Sequence, residues 1–144
     1  MLELVHDHDR FEIRVDEDHR LLWVRWKPCT VDKPALQTYF ELAQPILDHF
    51  GRVLHYTHFC DVEGITMGAR LWGAKRIREQ KPYIKKSALY GTGPVETWMF
   101  DHFIRLTGRR DVQLFATEEA ALAWLLIDRG DDDKAADTGA QPSA

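Results

Sequence analysis

The chain has 144 residues, which is enough for one domain with a sizeable buried core. Its 44% apolar and 29% charged residues are ordinary for a globular protein, and the net charge of -4 argues against a general nucleic-acid binder. Two cysteines, Cys29 and Cys60, are too few for a disulfide scaffold, and the sequence shows neither a signal peptide nor an apolar run of membrane-spanning length. We therefore expect a cytoplasmic protein with reduced cysteines and no transmembrane segment.

The first elements are predicted to form an antiparallel hairpin. Residues 11–15 alternate apolar and charged side chains, which is typical of a half-buried strand. Residues 21–27 are rich in aromatic and β-favouring side chains and predict a second strand. A short polar turn joins the two strands, so we expect them to pair. Residues 1–10, which include His6 and His8, are expected to form a flexible arm outside the domain.

Helices and strands then alternate along the chain. Asp32 and Pro34 predict the start of a helix that Gly51 ends, and Pro45 predicts a kink or a split inside it. The later elements are predicted as strand 53–61, loop 61–66, helix 67–80, strand 84–90, helix 94–107, strand 112–115 and helix 118–127. A glycine-containing turn, residues 91–94, precedes the 94–107 helix.

Helical spacing predicts which residues of the two middle helices face the core. The inward sets are Met67, Leu71, Ala74 and Ile77 in the first helix, and Val95, Trp98, Met99, His102, Phe103 and Leu106 in the second.

The element order predicts a single α/β domain over residues 11–127. We expect one mixed β-sheet, in which an N-terminal antiparallel hairpin is followed by parallel strands, packed with about four helices. Residues 128–144 contain no large apolar side chain, so we expect them to form a flexible acidic and polar tail.

Three stretches of the sequence, in this element order, resemble the SpoIIAA-like family, whose members are relatives of the STAS domain. They are LLWVRWK before the first helix, GRVLHYTHFCDVEG around the central strand, and LFATEEAALAWL near the end. The resemblance covers roughly residues 11–126 and implies a mixed sheet backed by helices. Some SpoIIAA-like proteins also look similar to CRAL-TRIO lipid-transfer domains, which suggests an apolar ligand as a separate possibility.

The resemblance also implies where a regulatory switch would lie. In STAS-type anti-sigma-factor antagonists, a serine in an Asp-Ser-Ser-Gly motif is phosphorylated at the start of the helix after the central strand. Aligned on Gly68, that motif falls on residues 65–68 and places Thr66 at the acceptor position. Ile65 stands where the family has its aspartate, so we expect a domain without the usual serine phospho-switch. Thr66 equally suits a helix cap, and the two interpretations stay open.

The stretch HYTHFCD contains residue types that bind metals or act as nucleophiles. His55 and His58 are three apart, and on a strand that spacing sends them to opposite faces, where they cannot chelate one ion. Cys60 shares a face with His58, but Asp61 and Glu63 follow it and would raise the pKa of the thiol. We therefore predict no metal site, no cofactor and no catalytic residue.

Charge is distributed unevenly along the chain. Residues 70–86 carry seven bases against one acid, whereas residues 3–18 carry seven acids against two bases. This asymmetry suggests an anionic partner, a lipid headgroup or self-association through opposite patches. Trp72 beside Arg76 is typical of an interface anchor, although a tryptophan tucked under a neighbour explains the pattern equally well.

Ligands of open α/β sheets sit beyond the carboxyl ends of parallel strands, at a topological switch. The predicted partner or ligand surface at this edge comprises Asp61, Glu63, Thr66, Arg70, Trp72, Arg76, Thr92 and Trp98.

Three hypotheses for function follow. The first is a non-catalytic STAS-like interaction and regulatory module that binds a protein partner, or a second copy as a homodimer, through residues 61–76. The second is a carrier whose small apolar or lipid-like ligand lies between helices 67–80 and 94–107, with Trp72, Trp98, Met99 and Phe103 as walls. Small residues at positions 68, 69, 73 and 74 leave room for this ligand or permit close helix packing. The third is an enzyme built around residues 58–61, which we do not expect.

Overall fold

Eight strands and four helices make up the part of the chain that the computed structural model describes, residues 2–91 and 97–127. The strands are β1 (Glu3–Asp7), β2 (Phe11–Asp16), β3 (Leu21–Trp26), β4 (Thr30–Val31), β5 (Val53–His58), β6 (Gly64–Ile65), β7 (Ile84–Tyr90) and β8 (Val112–Phe115). The helices are α1 (Lys33–Phe50), α2 (Met67–Glu79), α3 (Thr97–Thr107) and α4 (Glu118–Ile127). None of these helices is both long enough and apolar enough to cross a membrane. Residues 92–96, which include Thr92 and the predicted inward Val95 of the 94–107 helix, and the predicted tail, residues 128–144, lie outside the described residues.

Six strands pair in the order β1-β2-β3-β5-β7-β8. The first three are antiparallel, and β3, β5, β7 and β8 are parallel to one another. β4 and β6 form a separate parallel pair. The predicted α/β fold is therefore confirmed, with an N-terminal hairpin that continues into parallel strands.

β1 is a strand that the sequence patterns did not predict. It pairs antiparallel with β2, with a register shift between Leu4 and His6. Because β1 lies at the edge of the sheet and exposes nearly all of its side chains, its sequence lacks the apolar alternation of a half-buried strand. The expectation of a flexible arm is therefore wrong for residues 3–7, which are held by strand pairing and by an ion pair of 2.7 Å between Lys27 and Asp7.

α1 begins and ends where its capping residues predict. The Asp32 carboxylate accepts a hydrogen bond of 2.9 Å from the backbone N–H of Ala35, and Pro34 lies in the first turn. Gly51 adopts a φ of 79°, a conformation that strains other residues, and its N–H donates to the carbonyl of Leu47.

Pro45 does not split α1. The helix runs from Lys33 to Phe50, and Pro45 lies on its exposed side. Since proline has no N–H, it leaves the carbonyl of Glu41 without the usual intrahelical donor. Solvent on this side of the helix can replace the lost hydrogen bond, and the predicted split does not occur.

Helices cover both faces of the sheet. α1, α2 and α3 pack on one face around the larger core, which includes Tyr39, and α4 packs on the other face around a smaller core, which includes Leu125. Alternate residues of β5 serve the two cores, because His55 bonds to Tyr39 whereas Tyr56 packs in the smaller core. The predicted division of this strand into two faces is confirmed.

The buried faces of α2 and α3 agree with the prediction at Ala74, Ile77 and Phe103 and differ from it at other positions. The residues of α2 that are buried are Ala69, Arg70, Gly73, Ala74 and Ile77, and those of α3 are Phe100, Phe103 and Thr107. Met67, Leu71 and Trp98 are 50%, 52% and 52% exposed, so their predicted inward positions are wrong.

Gly73 is one of three small residues on the buried face of α2, with Ala69 and Ala74. A Cβ at this position would lie 3.0 Å from Leu36 Cδ1 and 3.2 Å from Phe103 Cε1. Its absence lets α1 and α3 approach α2 closely, and Met67 and Leu71 are left on the outer side, whereas Ile77 is buried. The structure therefore favours close helix packing over an open space at this position.

Candidate functional site

The chain leaves the carboxyl end of β5 through a loop that leads to the N-terminus of α2. At the end of this loop, the Thr66 hydroxyl accepts a hydrogen bond of 3.1 Å from the backbone N–H of Ala69 and so caps the helix. Ile65, at the position of the family's aspartate, is buried in the larger core. In this loop Thr66 thus caps the helix and Ile65 packs in the core.

The two predicted acids of the loop have different surroundings. Asp61 accepts a hydrogen bond of 3.0 Å from Arg25, and this bond raises the pKa of the guanidinium. Glu12 lies 3.7 Å from the same guanidinium, so Asp61 belongs to an ion-pair network with β2 and β3. The Glu63 side chain is exposed, and its backbone N–H donates to the carbonyl of Cys29 at 2.8 Å.

Arg70, Trp98 and His102 meet between the first turns of α2 and α3, and we call this cluster the α2–α3 corner. The Arg70 guanidinium carbon lies 5.5 Å from the centre of the Trp98 ring, and Arg70 Nη1 lies 3.1 Å from His102 Nδ1. Arg70 was predicted to lie on a binding surface, yet it is only 6% exposed. Trp98, which is 52% exposed, lies over its guanidinium.

Trp72 and Arg76 lie on the other side of α2, in an open depression that we call the α1–α2 groove. Trp72 is half-buried and contacts Phe40 edge-on, with ring centres 5.5 Å apart. Arg76 donates to Gln44 at 3.3 Å. The groove encloses about 710 Å³ and is lined by Gln37, Phe40, Glu41, Gln44, Pro45, Trp72, Lys75, Arg76 and Glu79. The predicted surface is therefore divided between two separate places.

A buried polar cluster lies beneath the helices, on the central strands. His55 Nε2 lies 2.7 Å from the Tyr39 hydroxyl, and His55 Nδ1 lies 2.9 Å from the Ser87 hydroxyl. Burial, assisted by the positive charge of Arg109, lowers the pKa of His55 to about 4, so the imidazole is neutral near pH 7. Burial likewise raises the pKa of Tyr39. Sequence reasoning missed this cluster because its members are 16 and 32 residues apart and share no local pattern.

A small cavity of about 30 Å³ adjoins this cluster. His55, Ser87 and Tyr39 contribute polar groups to its lining, and Gly73 and Phe103 contribute to the side formed by the helices. This volume holds about one or two water molecules and is far too small for a lipid in this conformation. Of the four predicted ligand walls, only Phe103 lines the cavity.

The opposite face of β5 carries the other polar residues of HYTHFCD. Tyr56 donates a hydrogen bond of 2.9 Å to Glu118. Burial is the larger cause of the raised pKa of this tyrosine, and the hydrogen bond to Glu118 is the second cause. His58 packs edge-on against Tyr90, and burial lowers the pKa of its imidazole. Cys60 Sγ lies 3.8 Å from the Tyr90 carbonyl oxygen. Across residues 2–91 and 97–127, no three histidine, cysteine or carboxylate side chains are grouped as metal ligands.

Comparison with known proteins identifies the fold. No protein-family model and no curated protein matches the sequence. Among solved structures, the chain is similar to an uncharacterized protein of the DUF3478 family from Shewanella loihica PV-4, which is described as having a SpoIIAA-like fold. The two chains share 13% sequence identity and a TM-score of 0.57, over 87% of this chain and 92% of the other. The fold is therefore SpoIIAA-like, as the sequence resemblance implied.

Proposed function

We propose that this SpoIIAA-like domain is a non-catalytic interaction module that binds a protein partner in the α1–α2 groove. The observation that carries this proposal is the position of Trp72, which is half-buried over Phe40 at the base of an open groove. A tryptophan that is held by packing and remains accessible is typical of an interface hot spot. Lys75, which is exposed, and Arg76 add positive charge beside it.

The charges favour an acidic partner over a second copy of the chain. The outer side of α2 carries Lys75, Arg76 and Arg78 against Glu79. Within the groove Arg76 lies 3.7 Å from Glu79, and Glu41 of α1 adds a second acid, so Lys75 is the base that a carboxylate of the partner would meet. In self-association the basic side of α2 would need the acidic N-terminal segment of another copy. Several of those acids already have intramolecular partners, including Asp7, Glu12 and Asp16. We therefore infer a partner that inserts an apolar side chain against Trp72 and flanks it with carboxylates.

A role without catalysis is supported by the placement of the titratable groups. His55, Tyr39 and Ser87 bond to one another beneath the surface. A role without the serine phospho-switch is supported by Ile65, whose side chain is buried, and by Thr66, whose hydroxyl caps α2. Partner binding would then be controlled by something other than phosphorylation at this position.

Photocrosslinking in cells tests this proposal. A photoreactive benzoylphenylalanine is placed at Lys75 in the groove, and a matched control carries it at Gln113, which is exposed on the edge strand β8. A partner that crosslinks from the groove and not from Gln113 is then purified and titrated calorimetrically. Trp72→Ala should weaken its binding by about 2 kcal/mol or more, as expected for a hot spot.

Charge reversal provides the second part of the test. Lys75→Glu should weaken binding several-fold, whereas Lys81→Glu, an exposed lysine that does not line the groove, should have little effect. Circular dichroism of each variant shows whether the domain remains folded. Equal crosslinking from both positions, or equal effects of the two reversals, would contradict the proposal.

A carrier for a small apolar or lipid-like ligand is the second candidate function. It is favoured by the cavity that adjoins His55 and Ser87, where polar groups meet apolar walls in the manner of ligand sites. Since the cavity measures about 30 Å³, a ligand would have to move α2 and α3 away from the sheet. This candidate therefore requires an opened conformation of the domain.

Native mass spectrometry of the purified protein tests the carrier. A retained mass of lipid size should be present in the wild type and reduced in Gly73→Ala, whose Cβ would crowd Leu36 and Phe103 at the cavity. Gly64→Ala is the matched control, because its Cβ would meet no atom within 4 Å. Protein without a bound mass, or equal retention in both variants, would exclude the carrier.

A further inference from the structure

Arg70 is a buried cation whose charge is not neutralised by any carboxylate among the residues that the structure describes. It is 6% exposed, and its Nε is buried without a hydrogen-bond partner. Its recorded contacts are the imidazole of His102 and the ring of Trp98. A guanidinium presents five N–H donors, and removing it from water without an anion is costly. The surroundings of Arg70 are therefore incomplete.

Arg109 shows how this fold satisfies a buried arginine that has a structural role. Its side chain is 6% exposed, and it forms a bidentate pair with Asp111 at 2.7 and 2.6 Å. Further hydrogen bonds reach the carbonyls of Ile77 and Ile84 at 3.2 and 2.7 Å. In contrast to Arg70, this guanidinium has both a counter-ion and two carbonyl acceptors. Burial alone therefore does not explain why Arg70 lacks them.

Arg70 lies where the N-termini of two helices add to its positive charge. It lies in the first turns of α2, and Trp98 and His102 place its guanidinium beside the first turns of α3. The N-termini of both helices carry partial positive charge and favour anions. Asp101, on α3, is exposed, and no ion pair joins it to Arg70 in the part of the chain that the structure describes. Two helix N-termini and a buried cation thus converge, and no carboxylate of residues 2–91 or 97–127 pairs with that cation.

We propose that the α2–α3 corner binds the oxyanion group, a carboxylate or a phosphate, of a small ligand. Arg70 supplies two parallel donors in the planar arrangement that matches such groups, and the His102 imidazole lies beside it. Trp98 is half-exposed and covers the guanidinium, so the ligand enters by displacing the indole or by sliding beneath it. The exposed side chains of Met67 and Leu71 offer an apolar surface for the rest of the ligand.

This site is independent of the α1–α2 groove. Trp72 and Arg76 contact Phe40 and Gln44 of α1, whereas Arg70 contacts α3. A variant at Arg70 can therefore abolish anion binding while partner binding in the groove persists. Failure of one proposal does not imply failure of the other.

Side-chain NMR provides a direct test with an internal control. The Nε–H signals of Arg70 and Arg109 are assigned by substitution, and the protein is titrated with inorganic phosphate against sodium chloride of equal ionic strength. The Arg70 signal should shift and saturate because its Nε gains an acceptor. The Arg109 signal should not move because its Nε already donates to Asp111. No shift at Arg70, or an equal shift with chloride, would overturn the proposal.

Stability measurements separate a ligand-binding arginine from a structural one. In buffer without added oxyanions, Arg70→Met should be as stable as the wild type or more stable, because it removes an uncompensated charge and keeps the aliphatic stem. Arg109→Met should be clearly less stable because it leaves Asp111 and two carbonyls unpaired. Phosphate should raise the Tm of the wild type and leave that of Arg70→Met unchanged. Equal destabilisation by the two substitutions would assign Arg70 a structural role.

Three probes identify the chemistry of the ligand. For inorganic phosphate, acetate and octanoate, we compare the concentration of each probe at which the shift of the Arg70 Nε–H signal saturates. Tighter binding of phosphate assigns a phosphate ligand, tighter binding of acetate assigns a carboxylate, and a preference for octanoate over acetate assigns an apolar body lying on Met67 and Leu71. Absence of saturation with all three probes would exclude the site.

Discussion

His55 illustrates how a residue that attracts attention in the sequence acquires a different role in the fold. Its two ring nitrogens are used by Tyr39 and Ser87, so one nitrogen donates and the other accepts. A protonated imidazole would have two donors and a buried charge in the same space. The cluster is therefore built for the neutral form of His55.

The buried position of His55 predicts that stability falls in mild acid. Its pKa is about 4 in the folded protein and 6.5 in an unfolded chain, so the unfolded state binds the proton more tightly. Stability should be complete above pH 6.5 and fall as the pH drops towards 4, because protons then favour unfolding. The pKa difference corresponds to a loss of roughly 3 kcal/mol, which urea denaturation at about pH 7.5 and about pH 4.5 can measure.

His55→Gln isolates the contribution of His55 from that of other groups. Glutamine has no charge to gain, whereas His58, whose pKa is also lowered by burial, titrates in both proteins. Lys27 lowers the pKa of Asp7, and hydrogen bonds with His19 outweigh burial and lower that of Asp16, and both carboxyls are present in the two proteins alike. The wild type should therefore lose more stability than the variant. Equal losses of stability would mean that the pKa of His55 is the same in the folded and unfolded states.

At this scale, the sequence predicts the face on which a side chain lies but not the atoms that it meets. The alternation of β5 correctly separates His55 from His58 and so excludes a shared metal ion. Neither the Tyr39 partner of His55 nor the Trp98 partner of Arg70 could be predicted, because those pairs are formed by packing between elements distant in the chain. Both clusters depend on how far each helix is rotated about its axis.

Among the elements, α1 combines strong end signals with an internal defect. Its caps at Asp32 and Gly51 follow local hydrogen-bonding rules and were predicted from the sequence. Pro45 breaks such a rule, yet the helix continues because its inner residues, including Leu36 and Ile46, are buried. Tertiary packing therefore outweighs the local cost of the proline.

Replacing Pro45 should stabilise the protein. Pro45→Ala restores an N–H for the carbonyl of Glu41 and, because Pro45 is exposed, removes no buried contact. We expect a gain of about 1 to 3 kcal/mol in the free energy of unfolding, measured by urea denaturation. Glu41→Ala is the matched control on the same side of the helix and should change stability by less than about 0.5 kcal/mol. A less stable Pro45→Ala variant would show that the proline shapes α1 for packing.

The elements that were not predicted share a lack of local pattern. β1 has no buried face, and β4 and β6 have two residues each, so neither alternation nor composition indicates them. α2 itself was predicted, but its buried face was predicted only in part, because most of its buried side chains are small, Arg70 is among them, and hydrophobicity also pointed to the exposed Met67 and Leu71. Such elements are specified by their neighbours, and only the assembled sheet and helices reveal them.

For the whole molecule, the strand order sets how strongly each segment is held. β5 and β7 lie inside the sheet with parallel neighbours on both sides, and helices cover both faces around them. β1 is an edge strand whose Leu4 and Val5 are 49% and 44% exposed. Since opening β1 breaks one strand pairing and exposes little additional apolar surface, it can detach while the rest of the domain stays folded.

Hydrogen exchange should therefore slow from β1 to the centre of the sheet. Amides of β5 and β7 are expected to exchange only through global unfolding, with a strong dependence on denaturant, because that opening exposes the most surface. Paired amides of β1 should exchange faster and with little dependence on denaturant, yet slower than in an unstructured peptide, because strand pairing to β2 protects them. NMR-detected exchange of the full chain measures both groups together. Unprotected β1 amides would restore the free arm that the sequence suggested, and β1 amides as slow as those of β5 would make the edge strand part of one cooperative unit.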